Sequence, residues 1–499
     1  MDLLDPIACY RALQTRDARF DGRVFFGITS TGIYCRPICP ARTAKFENCR
    51  FFASAAAAQQ AGFRPCLRCR PEIAPELAAW RGTFNTVSRA LALIAEGTLD
   101  EREAGLEALA NRLGVSTRHL RRLFQEHIGA TPIAVAQTRR VLLAKQLIHE
   151  TQMTMTQVAM AAGFGSVRRF NETFQALFKR PPSALRRSSV PVAGNQMAGL
   201  GVTLRVPYQP PYDWPAMLGH LAARAIAGVE QVSESSYHRS VLHAGYVGSV
   251  TVTHRAEGNY LAVTLHFAQV QALPAILARV RRVFDVGADI QTIGAHLAKD
   301  PSLAALIAQR PGLRAPGAWD GFELAIRAIL GQQVTVQAAR KMASQLVSLC
   351  GTPLAARDDG LTHAFPTPQQ VAACDLNVIG MPSARRETLH AIAHAALRDP
   401  QFFHPNASMQ DAVARLRSIR GIGEWTAQYI ALRALRETDA FPASDVALLR
   451  SATNGGAARL TPDELLARSQ TWSPWRAYAA QHLWAADAAA GAARILKAA

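Results

Sequence analysis

The chain has no long hydrophobic run. No stretch reaches the ~18 consecutive apolar residues that a membrane-spanning helix needs, so an integral helical membrane protein is excluded. Acidic residues are scarce beside basic ones, 37 against 55, which leaves a formal net charge of +18 and a pI of about 10.2. The opening Met-Asp-Leu-Leu-Asp is acidic where a secretory leader would be basic. A cytoplasmic setting with reduced thiols is therefore expected, and the 8 cysteines read as ligands, nucleophiles or core residues, not as disulfides. What the chain does have is length and apolar material. Its 499 residues, 49% of them hydrophobic, suffice for three or four domains. The basic excess favours a polyanionic partner, although a charged membrane surface would satisfy charge alone.

Cys35, Cys39, Cys66 and Cys69 stand as C-x3-C-x26-C-x2-C. Two close pairs across a loop are the usual way to offer four thiolates to one tetrahedral zinc. Cys9 and Cys49 fall outside the pattern and are expected to be buried and inert; Cys350 and Cys374 are expected in the core. Arg36, Arg42, Arg64, Arg68 and Arg70 crowd the ligands, and Phe25-Phe26-Gly27-Ile28 reads as a core strand leading to the first of them.

Thr31-Gly-Ile-Tyr-Cys-Arg-Pro and Gly62-Phe-Arg-Pro-Cys-Leu-Arg-Cys resemble the metal-binding domain of the Ada-type adaptive-response regulators. The resemblance covers residues 1–78 and implies a small zinc-bound α+β domain. It implies that Cys35 is both ligand and acceptor of a methyl group from a methylated DNA phosphate, with Arg36, Arg42 and Arg64 near the DNA. A zinc-held thiolate is a ready nucleophile at neutral pH. Four thiolates on one divalent cation carry net −2, and methylating one leaves −1. The change favours a phosphate-rich partner in a salt-dependent way.

Two helix-turn-helix patterns follow over residues 83–187. In the first, Leu106, Leu109 and Leu113 precede Gly114-Val115-Ser116, and Arg118, Arg121 and Arg122 lie outward on the next helix. In the second, Val158, Ala159 and Ala162 precede Gly163-Phe164-Gly165-Ser166, and Arg168, Arg169 and Asn171 lie outward. A helix from Pro132 to about His149 joins them. The segment resembles the AraC-type DNA-binding domain, an all-α unit whose two recognition helices enter successive major grooves about 34 Å apart. Ser116, Arg118, Arg121, Ser166, Arg168 and Asn171 are the candidate DNA contacts. Residues 188–201, rich in Ser, Gly and Ala, read as a linker.

Beyond it, alternating stretches at 202–206, 248–254 and 261–267 read as strands and 215–228 as a helix. Residues 202–285 are thus a small α+β domain, and 286–499 reads as helices throughout. Within it, Val413, Leu416 and Ile419 keep helical spacing behind a Ser408/Asp411 capping pair. Gly421-Ile422-Gly423 breaks that helix, and Trp425, Tyr429 and Leu432 begin another. Backbone amides at such a turn receive a phosphate without side-chain charge. Pro442-Ala443-Ser444-Asp445 then places a carboxylate twenty positions after Trp425.

This hairpin and its Pro-x-x-Asp resemble the helix-hairpin-helix DNA glycosylases. Gln209-Pro-Pro-Tyr-Asp-Trp, Phe322 to Val334 and Trp472 to Trp484 resemble the AlkA-type 3-methyladenine glycosylases. The resemblance implies Asp445 as the catalytic carboxylate; Gly421, Ile422, Gly423, Glu424 and Trp425 as the phosphate grip; and Trp425, Tyr429 and Trp484 as the base pocket. Gln333 takes the wedge position, where leucine is typical. Lyase relatives carry a Schiff-base lysine at the hairpin where this chain has Trp425, so a monofunctional hydrolase is expected. No cysteine follows Cys374, so the iron–sulfur cluster of some relatives is not expected. The implied partners are alkylated DNA, promoter DNA and RNA polymerase; the implied ions are one zinc and a monovalent cation at the hairpin. Taken together, the chain reads as a multidomain, mainly α protein that couples an alkylation-sensing activator to an alkyl-base glycosylase. The other readings are a regulator with an idle glycosylase half, and a repair enzyme whose front half only delivers it to DNA. No Pro-Cys-His-Arg acceptor motif is present, so repair of O6-alkylguanine is not expected.

Overall fold

A computed structural model describes residues 5–76, 85–99, 104–186, 201–355, 359–404, 408–453 and 460–498. The expected linker, apart from Gly201, lies outside the described residues. The chain forms two compact units, Met1–Gln209 with Val252–Arg281, and Pro210–Thr251 with Arg282–Ala499.

The first unit begins with α1 (Pro6–Gln14), capped by Asp5, and a four-stranded sheet. Strands β1 (Phe25–Ile28), β2 (Ile33–Cys35), β3 (Cys49–Phe52) and β4 (Arg64–Pro65) run in the order β3-β1-β2-β4, with only β2 and β4 parallel. The helix α2 (Ala55–Gln60) packs on this sheet. Next come α3 (Asn85–Ala95), α4 (Ala104–Arg112), α5 (Thr117–Ile128), α6 (Pro132–Glu150), α7 (Met155–Ala161) and α8 (Val167–Phe178). Leu106, Leu109, Leu113, Leu120, Phe124 and Ile128 form one buried cluster with Ala56 and Ala57 of α2. The cysteine segment and the first helical pair therefore share a core. Ser54 ties them as well: it caps α2 and donates its hydroxyl to the Ile128 carbonyl at 2.8 Å. Phe170, Phe174 and Phe178, every fourth residue of α8, are all buried, as the period of an amphipathic helix requires.

The long helix α6 is not amphipathic in the ordinary sense. It buries Lys145 completely, and that ammonium reaches the Glu72 carboxylate at 2.6 Å and the Cys66 carbonyl at 2.8 Å. Arg70 joins Glu72 to Glu150 at the end of the same helix. A buried charge is tolerable only when so paired. The unit also contains β5 (Gly201–Pro207) and β9 (Tyr260–His266), an antiparallel pair in which Val202 faces Leu265.

In the second unit α9 (Trp214–Arg224) precedes β6 (Glu230–Val232), β7 (Ser236–His243) and β8 (Tyr246–Arg255), whose last residues pass into the first unit. The helix expected over 215–228 stops at Arg224, where Ala225 turns extended. Helix α10 (Leu273–Val283) belongs to the first unit but for its last two residues, and the helices that follow in the second are α11 (Ile290–Leu297), α12 (Pro301–Gln309), α13 (Gly321–Leu330) and α14 (Val336–Cys350). A short strand pair, β10 (Thr352–Pro353) with β11 (His363–Ala364), interrupts what the sequence suggested was purely helical. Then come α15 (Pro368–Ala373), α16 (Ser383–Arg398), α17 (Met409–Arg417), α18 (Glu424–Arg433), α19 (Val446–Ala452), α20 (Pro462–Ser469) and α21 (Arg476–Ala498). Cys9 is buried as expected, but Cys49, Cys350 and Cys374 are half-buried rather than core.

The central helix α13 buries Phe322, Ala325, Ile326, Ile329 and Leu330, and also Glu323. Arg239 and Arg327 bind the Glu323 carboxylate at 2.9 and 2.6 Å, and Arg327 reaches Glu230 at 2.6 Å. Burial alone would push Glu323 up; Arg239 and Arg327 override it and hold the carboxyl at about 2, against an ordinary 4.5. A depressed acid stabilises the fold above its unfolded value and loses that contribution as pH falls through the folded one. Six of the seven tryptophans lie in this unit. Melting followed by tryptophan fluorescence should therefore lose of order 3 kcal/mol between pH 4.5 and 2. The Glu323→Gln variant, already weaker at pH 7, should show a flatter profile over that range.

Candidate functional sites

The first site is the α17–α18 hairpin. Gly421 sits at φ +92°, and a Cβ there would meet the Thr388 hydroxyl at 2.0 Å, so only glycine fits. Ile422 is buried and anchors the turn, while Gly423 begins α18 with no side chain capping its first amides. A Cβ on Gly423 would project into open space. Glu424 is exposed and pairs with Arg417 at 3.0 Å. The Gln332 amide, which the sequence did not single out, donates to the Gly421 carbonyl at 2.9 Å and to Thr426 at 3.0 Å. It fixes the turn against the end of α13. Its neighbour Gln333 is exposed at φ +55°, a left-handed conformation costly for a residue with a side chain, with Val334 exposed beside it.

Asp445 caps α19, accepting from the amides of Ala447 at 2.9 Å and Leu448 at 3.1 Å. Its other contacts come from the expected pocket. The Trp425 indole N–H donates to one oxygen at 2.8 Å, and that of Trp484 to the other at 3.1 Å. Tyr429 stacks on Trp425 with ring centres 5.2 Å apart and meets Trp484 edge-on at 6.2 Å. The four residues line one cavity of about 570 Å³. Asp445 and the three rings are all half-buried, so each keeps a face for a ligand. Asp439, the neighbouring acid, is engaged by Arg476 at 2.8 Å and by Ser473 at 3.0 Å. Arg224 and Arg433 also line the cavity. Sequence reasoning missed both, because an arginine in the last turn of a helix reads as an ordinary partner of the helix dipole.

The second site lies in the first unit. Cys35 ends β2, Cys39 follows one turn later, Cys66 follows β4, and Cys69 is three residues further. The four sulfur atoms lie within 4.8 Å of one another and all are buried, Cys35 being the most exposed at 9%. Backbone amides of Arg36 and Arg68 donate to the sulfurs of Cys69 and Cys66 at 3.4 and 3.3 Å. Hydrogen bonding from the Cys35 thiol draws Cys39 down to about 7. Tetrahedral zinc with bonds of about 2.3 Å needs sulfurs about 3.8 Å apart, and amide donors to sulfur are the usual support of bound thiolates. The residues fit one zinc ion. Arg42 and Arg68 are exposed beside it, and Arg64 is half-buried. Arg36, expected to face DNA, is 6% exposed and bound to Asp21 and to the Cys69 carbonyl. Its role in the fold is to brace the ligand loop.

The third site is the pair α5 and α8. Ser116 and Ser166 cap them, each accepting an amide at 3.2 Å. Arg118, Arg121, Arg168 and Asn171 are exposed on their surfaces, with Arg168 tethered to Glu172 at 2.7 Å. No helix among the described residues is long and apolar enough to cross a membrane.

Four family models match in sequence order. They are the metal binding domain of Ada over residues 8–72, a helix-turn-helix domain over 109–188, the AlkA N-terminal domain over 203–320, and the HhH-GPD superfamily of base excision DNA repair proteins over 326–477. The DNA-3-methyladenine glycosylase 2 of Escherichia coli (strain K12) is 38% identical over 281 residues, covering 56% of this chain and 95% of that protein. A solved 3-methyladenine DNA-glycosylase from Archaeoglobus fulgidus shares the fold, with a TM-score of 0.51 at 18% identity over 57% of this chain and 97% of its own. The "Probable bifunctional transcriptional activator/DNA repair enzyme AlkA" of Mycobacterium tuberculosis (strain CDC 1551 / Oshkosh) is 39% identical over 479 residues, 95% of each chain. With a metal cluster, paired recognition helices and a hairpin-flanked carboxylate in one polypeptide, the chain belongs to the family of bifunctional transcriptional activator/DNA repair enzymes of the AlkA type.

Proposed function

We propose that the second unit is a monofunctional DNA glycosylase for alkylated bases and that the first is an activator switched by methylation of Cys35. The observation that carries the glycosylase reading is the Asp445 carboxylate, aimed by two indoles at the aromatic cavity they line. A base inside the duplex is out of reach, so the nucleotide must first leave the stack. The amides of residues 421–425 hold the phosphate, and Gln333, projecting from its left-handed turn, fills the gap left behind. A monovalent cation at the hairpin carbonyls would serve the same grip. As the glycosidic bond breaks, positive charge grows on the sugar. A fixed carboxylate stabilises that charge in a site where water is scarce. Trp425 has no amine with which to form a Schiff base, so the product is an abasic site.

In the first unit Cys35, Cys39, Cys66 and Cys69 hold the zinc, which supplies charge to keep sulfur deprotonated when bound. The Cys35 sulfur takes the methyl group of a methylated phosphate: an S–C bond forms, the C–O bond breaks, and a phosphodiester leaves. The cluster loses one negative charge, and α5 and α8 then bind promoter DNA more tightly. RNA polymerase is the partner such an activator would engage.

Two measurements test this. Asp445→Asn, which keeps the shape and the capping oxygen, should bind duplex DNA as wild type does. It should release alkylated bases at least ~100-fold more slowly, by the size of effect typical for a lost electrostatic stabiliser. Wild-type activity in the variant would place the chemistry elsewhere. Stoichiometric methylation of Cys35 should tighten promoter binding at low salt, with a gain that shrinks as salt rises; equal affinity before and after, at every salt concentration, would defeat the switch.

A further inference from the structure

The turn that presents Gln333 is held from several sides. It runs between the end of α13 and the start of α14. Thr335 closes its far end by capping α14, accepting the Ala338 amide at 3.2 Å. At its near end the Gln332 carbonyl accepts from the Arg385 guanidinium of α16 at 2.6 Å. That carbonyl shares a peptide plane with the Gln333 nitrogen, so fixing it helps to set the φ of Gln333, +55°. A residue with a side chain stays in the left-handed region only where its surroundings hold it there. The other terminal nitrogen of Arg385 lies 3.9 Å from the Met342 sulfur of α14. The guanidinium thus grips a carbonyl and a thioether, both uncharged.

The same helix supports the hairpin. Thr388 stands three residues after Arg385, on the same side of α16. It is buried beneath Gly421, where a Cβ would meet its hydroxyl at 2.0 Å. The Gln332 side chain closes the triangle. Its amide donates to the Gly421 carbonyl at 2.9 Å and to the Thr426 hydroxyl, in the first turn of α18, at 3.0 Å. One residue thus has its carbonyl on Arg385 and its side chain on the hairpin turn. The next one, Gln333, is exposed, with Val334 and Val336 exposed beside it. A side chain entering a base stack is effective only if the backbone behind it does not recoil. The need for that support grows with the stability of the pair to be opened.

We propose that Gln332 and Arg385 are positioning residues that lock the Gln333 turn to the hairpin, so that seating a phosphate on the hairpin amides carries Gln333 into the stack as one rigid movement. They act through Gln333 and on extrusion of the nucleotide, not on cleavage of the glycosidic bond. The inference rests on the glycosylase reading and on Gln333 as the residue that fills the stack, and it adds what holds that residue in place.

The test uses the full chain and two duplexes with a single 7-methylguanine, opposite cytosine in one and mismatched with adenine in the other. Single-turnover release is compared for wild type, Gln332→Met, Arg385→Met, Gln333→Gly and the Gln333→Gly, Arg385→Met double variant. In Gln332→Met and Arg385→Met, release from the paired duplex should fall about tenfold or more, and from the mismatched duplex by no more than about twofold, because a mismatched base costs less to unstack. Gln333→Gly should show the same pattern. Adding Arg385→Met to it should change release by less than about twofold, since the two act through one side chain. Equal losses on both duplexes, or a full effect of Arg385→Met in the Gln333→Gly background, would show that these residues only support the fold and would overturn the proposal. If one variant does not fold, the other decides the matter by the same ratio. A Gln333→Gly variant that matches wild type on both duplexes would remove the wedge and this proposal with it, leaving the glycosylase reading intact. Wild type that releases base from neither duplex would sink the glycosylase reading itself.

Discussion

Four N–H groups converge on one carboxylate. Two are backbone amides at the start of α19, and two are the indoles of Trp425 and Trp484. Together they fix a half-buried carboxylate in direction at the wall of an aromatic cavity. A carboxylate so held stabilises a neighbouring positive charge without reorganising, which is the main resource a glycosylase has. Its surroundings follow from that need. Beside it, Gly421 turns the hairpin through a conformation closed to other residues. Gln332 then ties the turn to α13, the most deeply buried helix near the cavity.

The first unit solves a different problem by burial. Its metal cluster is not an appendage of the helical domain. Glu72, three residues past the last cysteine, is locked to Lys145 of α6, and α2 shares the core of the first helix-turn-helix pair. The proposed change of charge at Cys35 would therefore occur on a body that already includes α5 and α6. Electrostatic attraction to DNA and the placement of α5 need no intervening hinge.

Much of this was legible in the sequence where chemistry demands particular residue types at fixed spacing. The C-x3-C…C-x2-C pattern gave the ligand set, and the serines at 116 and 166 gave both recognition-helix starts. The Asp445 carboxylate stood out by its offset from the hairpin, and the resemblance to the glycosylases implied its aromatic neighbours. What was not legible depends on contacts between residues distant in sequence. Trp425 and Trp484 looked like stacking surfaces; that their N–H groups hold Asp445 is set by the packing of α18, α19 and α21. Arg36 looked like a DNA contact because it adjoins a ligand, but Asp21 takes it into the interior. Arg433 resembled a helix-end cation, and only the fold lays it over two pocket rings. The strands β6, β7, β10 and β11 are too short or too irregular in pattern to stand out.

The central claim is that the Asp445 carboxylate faces a cation formed on the sugar. Binding to duplexes that carry either a neutral tetrahydrofuran abasic site or a positively charged pyrrolidine abasic analogue tests it most directly, since a mimic of the transition state binds in proportion to the stabilisation offered. Wild type should prefer the charged analogue strongly, and Asp445→Asn should lose most of that preference while binding the neutral site as before. An equal preference in both proteins would contradict the account.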